Sequence, residues 1–154
     1  MVEAVVAGVL LAVVMGSVSR LSVSALASSS NQSERVRIEA AINDNIQLLQ
    51  MEDSYLRLED MASQGEQDAA CSSPTSHLKT HLEARVPAPD PPKVSNPIER
   101  SFEVLDDSGM DILTAKYKFF APEHKGKSDA LERWEYRTVE LNPNFSAQCY
   151  TTVS

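Results

Sequence analysis

An α+β fold, with a long N-terminal helix packed on a small antiparallel sheet, is predicted by three changes of pattern along the sequence. Residues 4 to 16 read AVVAGVLLAVVMG without a charge, residues from Glu34 onward place apolar side chains at helical spacing, and the last third alternates apolar and polar residues with a period of two. A chain of 154 residues holds one compact domain plus an extension. The expected division is a hydrophobic anchor helix over residues 1–30 and a head over 31–154.

The charge is unevenly spread. The formal net charge is -8, and Glu3 and Arg20 cancel within the first thirty residues, so the acid excess sits on the head. An acidic body repels phosphate backbones, which disfavours a nucleic-acid partner held by bulk electrostatics. Lys116, Lys118, Lys125 and Lys127 form a local basic group, but Glu123 and Asp129 are interleaved with it, and it reads as a solvated strand face and hairpin loop.

The first segment admits three identities: a cleaved secretory signal, a buried core helix or a retained anchor. Ala25-Leu26-Ala27 supplies a cleavage-like pattern, yet Met1-Val2-Glu3 puts an acid where a signal carries basic residues. The apolar run is short of the ~18–20 residues of a confident span. Continued through Ser17, Val18 and Ser19, with Arg20 snorkelling, it reaches an anchor's length. Residues 22–33, SVSALASSSNQS, contain no proline to stop a helix.

An amphipathic helix is expected over residues 34–61, with Ile38, Ile42, Ile46, Leu49 and Leu56 on its buried face and Glu34, Arg35, Asn43, Asp44 and Asp53 on the others. Residues 62–100 read as a Pro-rich loop, because Pro87, Pro89, Pro91, Pro92 and Pro97 suit neither helix nor central strand. Within it, Thr75-Ser76 caps a short helix from His77 to about Arg85 that buries Leu78 and Leu82.

The sheet is expected over residues 101–154. Phe102–Leu105 forms a short strand and Asp106-Asp107-Ser108-Gly109 the turn after it. Leu113, Ala115, Tyr117 and Phe119 then alternate with Thr114, Lys116 and Lys118. After a charged loop over 121–131, Glu132–Leu141 is a strand carrying Trp134 and Tyr136 as sheet core. Its apolar face changes parity by Val139 and Leu141, which predicts a bulge near Thr138. Asn142-Pro143-Asn144 turns the chain, and Ser146–Thr152 is expected as a final strand. Three or four strands with one apolar face would cover the helix.

The run Val2-Glu3-Ala4-Val5-Val6-Ala7-Gly8-Val9-Leu10-Leu11-Ala12, a continuous helix and a late cysteine beside a small sheet together resemble type IV pilins and type II secretion pseudopilins. That family's precursors carry a basic leader cut after a glycine, a methylated new N-terminal residue and, shortly after it, an acidic residue in an apolar helix; Glu3 matches the acidic position. Because this sequence opens at Met1-Val2 where the motif is already under way, in-frame codons upstream of Met1 are expected to encode the leader. The motif resemblance covers about 20 residues at the N-terminus, and the architecture matches more loosely beyond it.

The resemblance implies a filament subunit, a minor pilin or pseudopilin, assembled through its N-terminal helix. Implied partners are other pilin or pseudopilin subunits, a prepilin peptidase and an inner-membrane assembly platform. The implied location is the inner membrane, single pass, with a periplasmic head, and a cell-surface filament when assembled. In the family Glu3 meets the N-terminal amine of the neighbouring subunit. A buried carboxylate needs such a partner, whereas a carboxylate in the head-group layer only complements the helix dipole. A periplasmic head would let Cys71 and Cys149 pair as a disulfide; in a cytosolic protein they would be two unlinked buried thiols. The alternative function is a membrane-tethered or secreted periplasmic binding domain that does not polymerise.

Catalytic chemistry has little to rest on. His77 and His81 share a helix face near Cys71, and all three are residue types that bind zinc, but a fourth ligand is not evident and the cysteine is wanted elsewhere, so no metal is expected. Trp134 and Tyr136 are only remotely a stacking platform for bases or sugars. No nucleophile, base and acid set and no phosphate-cradling loop stands out among five glycines. Neither an enzyme nor a cofactor is expected.

Overall fold

The computed structural model describes residues 2–91, 97–105, 111–124 and 134–150, with the side chains of the first helix described at Leu26 and from Ser28 onward. Helix α1 runs unbroken over Val2–Tyr55, about 81 Å at 1.5 Å per residue. No proline precedes Pro74, so nothing in the serine-rich stretch removes a backbone donor, and the helix passes through it. It ends at Tyr55 rather than near Met61; a 3-10 turn, Leu58–Asp60, follows.

Two short helices occupy the first part of the segment expected as loop. Helix α2, Gln64–Ser72, is capped by Ser63, which accepts from the Glu66 backbone N–H, while the Glu66 carboxylate accepts from the Ala62 N–H at 3.0 Å. Helix α3, Pro74–Arg85, starts with Pro74 at a position whose N–H has no helical partner to lose. It begins three residues before the expected His77 and buries Leu78 and Leu82 as expected.

Strands β1 (Glu99–Leu105), β2 (Ile112–Phe120) and β3 (Trp134–Leu141) form one antiparallel sheet in the order β1-β2-β3. The fold is thus α+β, with three strands among the described residues. The inner face of β2 packs Leu113, Ala115, Tyr117 and Phe119 against Ile38, Ile42 and Leu49 of α1 and Leu78 and Leu82 of α3, all essentially buried. The turn at 106–109 and the lysines Lys125 and Lys127 lie outside the described residues.

Four expectations about the head are corrected. Among the described residues the buried stripe of α1 is Glu34, Ile38, Ile42, Asn45, Leu49 and Asp53, so Glu34 and Asp53 lie on the inner face and Ile46 and Leu56 at its margin. No bulge interrupts β3, because its register with β2 is continuous from Leu113↔Leu141 to Phe120↔Trp134. Trp134 and Tyr136 therefore lie on the outer face and not in the core, Tyr136 being 49% exposed. In place of a final strand, Ser146–Cys149 forms a helical turn, α4, closed by Ser146 Oγ donating to the Pro143 carbonyl at 2.7 Å; Thr151 and Thr152 lie outside the described residues.

The expected location is also corrected. Among the described residues, no helix is long and apolar enough to cross a membrane. Helix α1 has the length, but its uncharged run at residues 4–16, whose side chains are not described, is shorter than a span needs. Ser28, Ser29, Ser30, Glu34 and Arg35 then make the helix polar as it nears the head. The expectation of a single-pass inner-membrane protein with a periplasmic head is overturned on that finding.

Candidate functional site

The long helix and its attachment to the head are the feature on which a functional reading turns, and three sets of polar contacts make the attachment. The deepest is centred on Asn45. Its side-chain oxygen accepts from Arg100 Nη1 at 2.8 Å and from the Tyr117 hydroxyl at 2.9 Å, and its Nδ2 donates to the Pro87 carbonyl at 2.9 Å. Arg100 also donates to the Val86 carbonyl at 2.6 Å and to that of Pro87 at 3.2 Å. One side chain thereby ties α1 to β1, β2 and the start of the Pro-rich segment. Burial pushes the Tyr117 hydroxyl up to about 12, against the opposing pull of the Arg100 charge; burial also lowers Arg100.

The second set lies where α1 leaves the head. Arg35 donates to Glu123 at 2.9 Å and grips Glu135 with both terminal nitrogens, at 3.2 and 2.7 Å. Hydrogen bonding to Glu123, then to Glu135, raises the Arg35 pKa. One turn on, Glu39 accepts from Arg137 at 2.8 Å. Glu135 and Arg137 occupy inward positions of β3, so the sheet meets the helix there through paired charges, with the bidentate geometry that suits arginine and carboxylate.

The third set holds the other end of α1. Asp53, 9% exposed, accepts from the Asn144 backbone N–H at 3.1 Å; its pKa is raised, chiefly by burial, while that hydrogen bond and His81 oppose the shift. The Leu58 N–H donates to the side chain of Gln148 at 2.9 Å. Beside these, Cys71 of α2 and Cys149 of α4 are joined in a disulfide, with Cα atoms 5.6 Å apart. The bridge links the C-terminal turn to the segment following α1, and Phe145, just before α4, is fully buried.

A cavity of about 500 Å³ opens beside this end, lined by Glu52, Leu56, Met61, His77, His81 and Arg85 among others. His81 Nε2 lies 3.4 Å from the Glu52 carboxylate, and His77 meets the edge of the Phe145 ring at 5.7 Å. The two histidines do share a helix face, but Cys71 is in the disulfide, and no cluster of three or more metal-ligating side chains is present among the described residues.

On the outer sheet face, Lys118 sits 4.3 Å over the Trp134 ring and Lys116 5.2 Å over that of Tyr136. The same lysines reach Glu99 at 3.2 Å and Glu103 at 3.7 Å, which largely neutralises this half of the basic group.

Of the sequence-predicted site residues, Cys71 and Cys149 are brought together. Glu3 belongs to the first turn of α1, and its side chain lies outside the described residues. Asn45, Arg100 and Tyr117 were not singled out by sequence reasoning; the available signal was an asparagine between Ile42 and Leu49 at helical spacing. No family model matches the chain, and no curated protein or solved structure gives a significant match.

Proposed function

We propose that the protein is a structural, non-catalytic filament subunit, a pilin-like or pseudopilin-like chain whose copies assemble through the first half of α1. The observation that carries this reading is the proportion of α1. Among its described side chains the buried positions begin at Glu34, in the second half of a 54-residue helix, and the uncharged run of residues 4–16 belongs to the first half of the same helix. An apolar run of this kind on one helix is buried by packing against the same run of other copies. The head is suited to being carried, since three sets of polar contacts fix it to the helix and a disulfide ties its C-terminal turn to the segment after α1. Other subunits of the same kind are the principal partners, with a prepilin peptidase and an assembly platform as the machinery the resemblance implies.

A carboxylate within such an apolar contact is retained where it meets a positive partner, which gives Glu3 its role. The full-length Glu3→Gln protein is expected to keep an oxidised, protease-resistant head and to assemble poorly, whereas Asp68→Asn, which removes an exposed head carboxylate, assembles like wild type. Sedimentation and negative-stain microscopy of the three proteins test this. Equal assembly of all three would refute the role of Glu3, and failure of the wild type to assemble would refute the filament reading. A non-polymerising binding domain would then be favoured by the outer face with Trp134 and Tyr136.

A further inference from the structure

The outward surface of α1 carries a second stripe that its own head does not cover. Seven large apolar side chains are exposed among the described residues, and five belong to α1: Leu26 at 71%, Val36 at 62%, Leu48 at 42%, Met51 at 41% and Tyr55 at 68%. At ~100° per residue, four of them fall within an arc of about 60° and Val36 lies beside it. Between Leu26 and Leu48 the same line continues through exposed Ser30, Ser33, Arg37, Ala40 and Asp44, each three or four residues from the last. The inner stripe of Ile38, Ile42 and Leu49 lies on a different side of the helix.

Midway along this line the helix forms one side of a groove. Arg37, Ala40, Ala41, Asp44 and Leu48 line it, and Pro87, Pro89 and Pro91 stand opposite, around a volume of about 560 Å³. Ala40 and Ala41 among its lining residues are small, which allows another backbone to approach closely. Arg37 and Asp44 are exposed, and neither makes an ion pair with another described residue.

We propose that this stripe is a docking face for the same stripe of a second copy, with the two helices antiparallel about a two-fold axis beside Ala40 and Ala41. The choice of occupant follows from the register. A two-fold contact brings a surface against itself. If the helices ran parallel, Arg37 would oppose Arg37 and Asp44 would oppose Asp44. In the antiparallel arrangement each Arg37 opposes Asp44 of the second copy, and the axis that aligns these charges falls between residues 40 and 41, at the alanines. That register also sets Leu48 opposite Ser33, Met51 opposite Ser30 and Tyr55 opposite Leu26, so that large side chains meet small ones or one another along about 45 Å of helix. The contact uses residues 26–55 and is distinct from assembly through the apolar run at residues 4–16.

Sedimentation velocity of the full-length oxidised protein over a micromolar concentration series should show a two-chain species. Arg37→Asp and Asp44→Arg should each raise its dissociation constant about tenfold, because two opposed pairs become like-charged, and the combined exchange should restore it. Both native cysteines are in the disulfide, so Ala40→Cys provides a single thiol, which a short bis-maleimide should couple to its counterpart. Leu26→Cys should not couple, since its two copies lie about 43 Å apart in this register. A monomer throughout the series, a swap that fails to restore association, or Leu26→Cys coupling as readily as Ala40→Cys would overturn the proposal. Open assemblies indifferent to both reversals would overturn it as well, and would leave the filament reading in place.

Discussion

Replacing Asn45 by alanine removes the side chain on which the helix, two strands and the Pro-rich segment converge. The Tyr117 ring is fully buried, and its hydroxyl donates to Asn45 at 2.9 Å; without that acceptor it is left unsatisfied, at a cost of about 1–3 kcal/mol. The bond from Asn45 Nδ2 to the Pro87 carbonyl adds about 1 kcal/mol. Arg100 retains the Val86 and Pro87 carbonyls and loses less. The sum, about 2–4 kcal/mol, is a large part of the ~5–15 kcal/mol that holds a domain folded. Tyr117→Phe alone removes one hydroxyl and leaves Asn45 with Arg100, so it should cost about 1 kcal/mol. In the double variant the stranded hydroxyl is gone, and its total cost should fall below the sum of the single costs by about 1–2 kcal/mol. Guanidinium unfolding of the four proteins, with the disulfide intact and equal m-values required, measures that coupling. Additive costs, within about 0.5 kcal/mol, would refute the claim that Asn45 satisfies Tyr117.

Two further predictions concern the opposite end of the helix. Cys149→Ser should lower stability by about 4 kcal/mol in the chain-entropy account of a bridge spanning 78 positions, a loss that reductant reproduces in the wild type and not in the variant; mass analysis without reductant should find the wild type lighter than its reduced form by two hydrogens. Asp53 has a raised pKa in the folded state, so between its unfolded value near 3.8 and the raised one the folded protein binds more protons, and this residue's contribution to stability falls as pH rises through that window. Asp53→Asn keeps an acceptor for the Asn144 N–H and no longer buries a charge; it should be at least as stable as wild type at pH 7 and lose that part of the acid-side dependence, which unfolding curves from pH 3 to 7 resolve.

The legible parts of the fold were those with a local cause. The 3.6-residue period of Ile38, Ile42 and Leu49 and the two-residue period of Leu113 to Phe119 each placed an element and its buried face. Helix α2 has little such signal, since Ala70 is its one buried residue; its start is set by the Ser63 and Glu66 cap. The C-terminal turn was missed for a different reason. Ser146 to Cys149 is too short for its helix-forming Ala147 and Gln148 to decide its conformation, which accompanies burial of Phe145 and the bridge to Cys71, both tertiary events.

Polar residues on buried faces account for the remaining differences. Asn45 and Asp53 occupy the inner stripe of α1 because Arg100, Tyr117 and the Asn144 backbone supply their partners, and no spacing within a helix announces a partner 55 to 91 positions away. The same holds for β3, where Glu135 and Arg137 stood at inward positions and made the apolar parity of the strand appear to change. Their partners, Arg35 and Glu39, lie 100 and 98 positions earlier, and with them in view the strand needs no bulge. The sheet therefore meets α1 through apolar side chains at Ile42 and Leu49 and through charge pairs at Arg35 and Glu39. That exchange marks the edge of the head: before it, from Leu26 to Ser33, the described side chains are exposed or half-buried, and the helix surface there is left to whatever the helix meets outside its own domain.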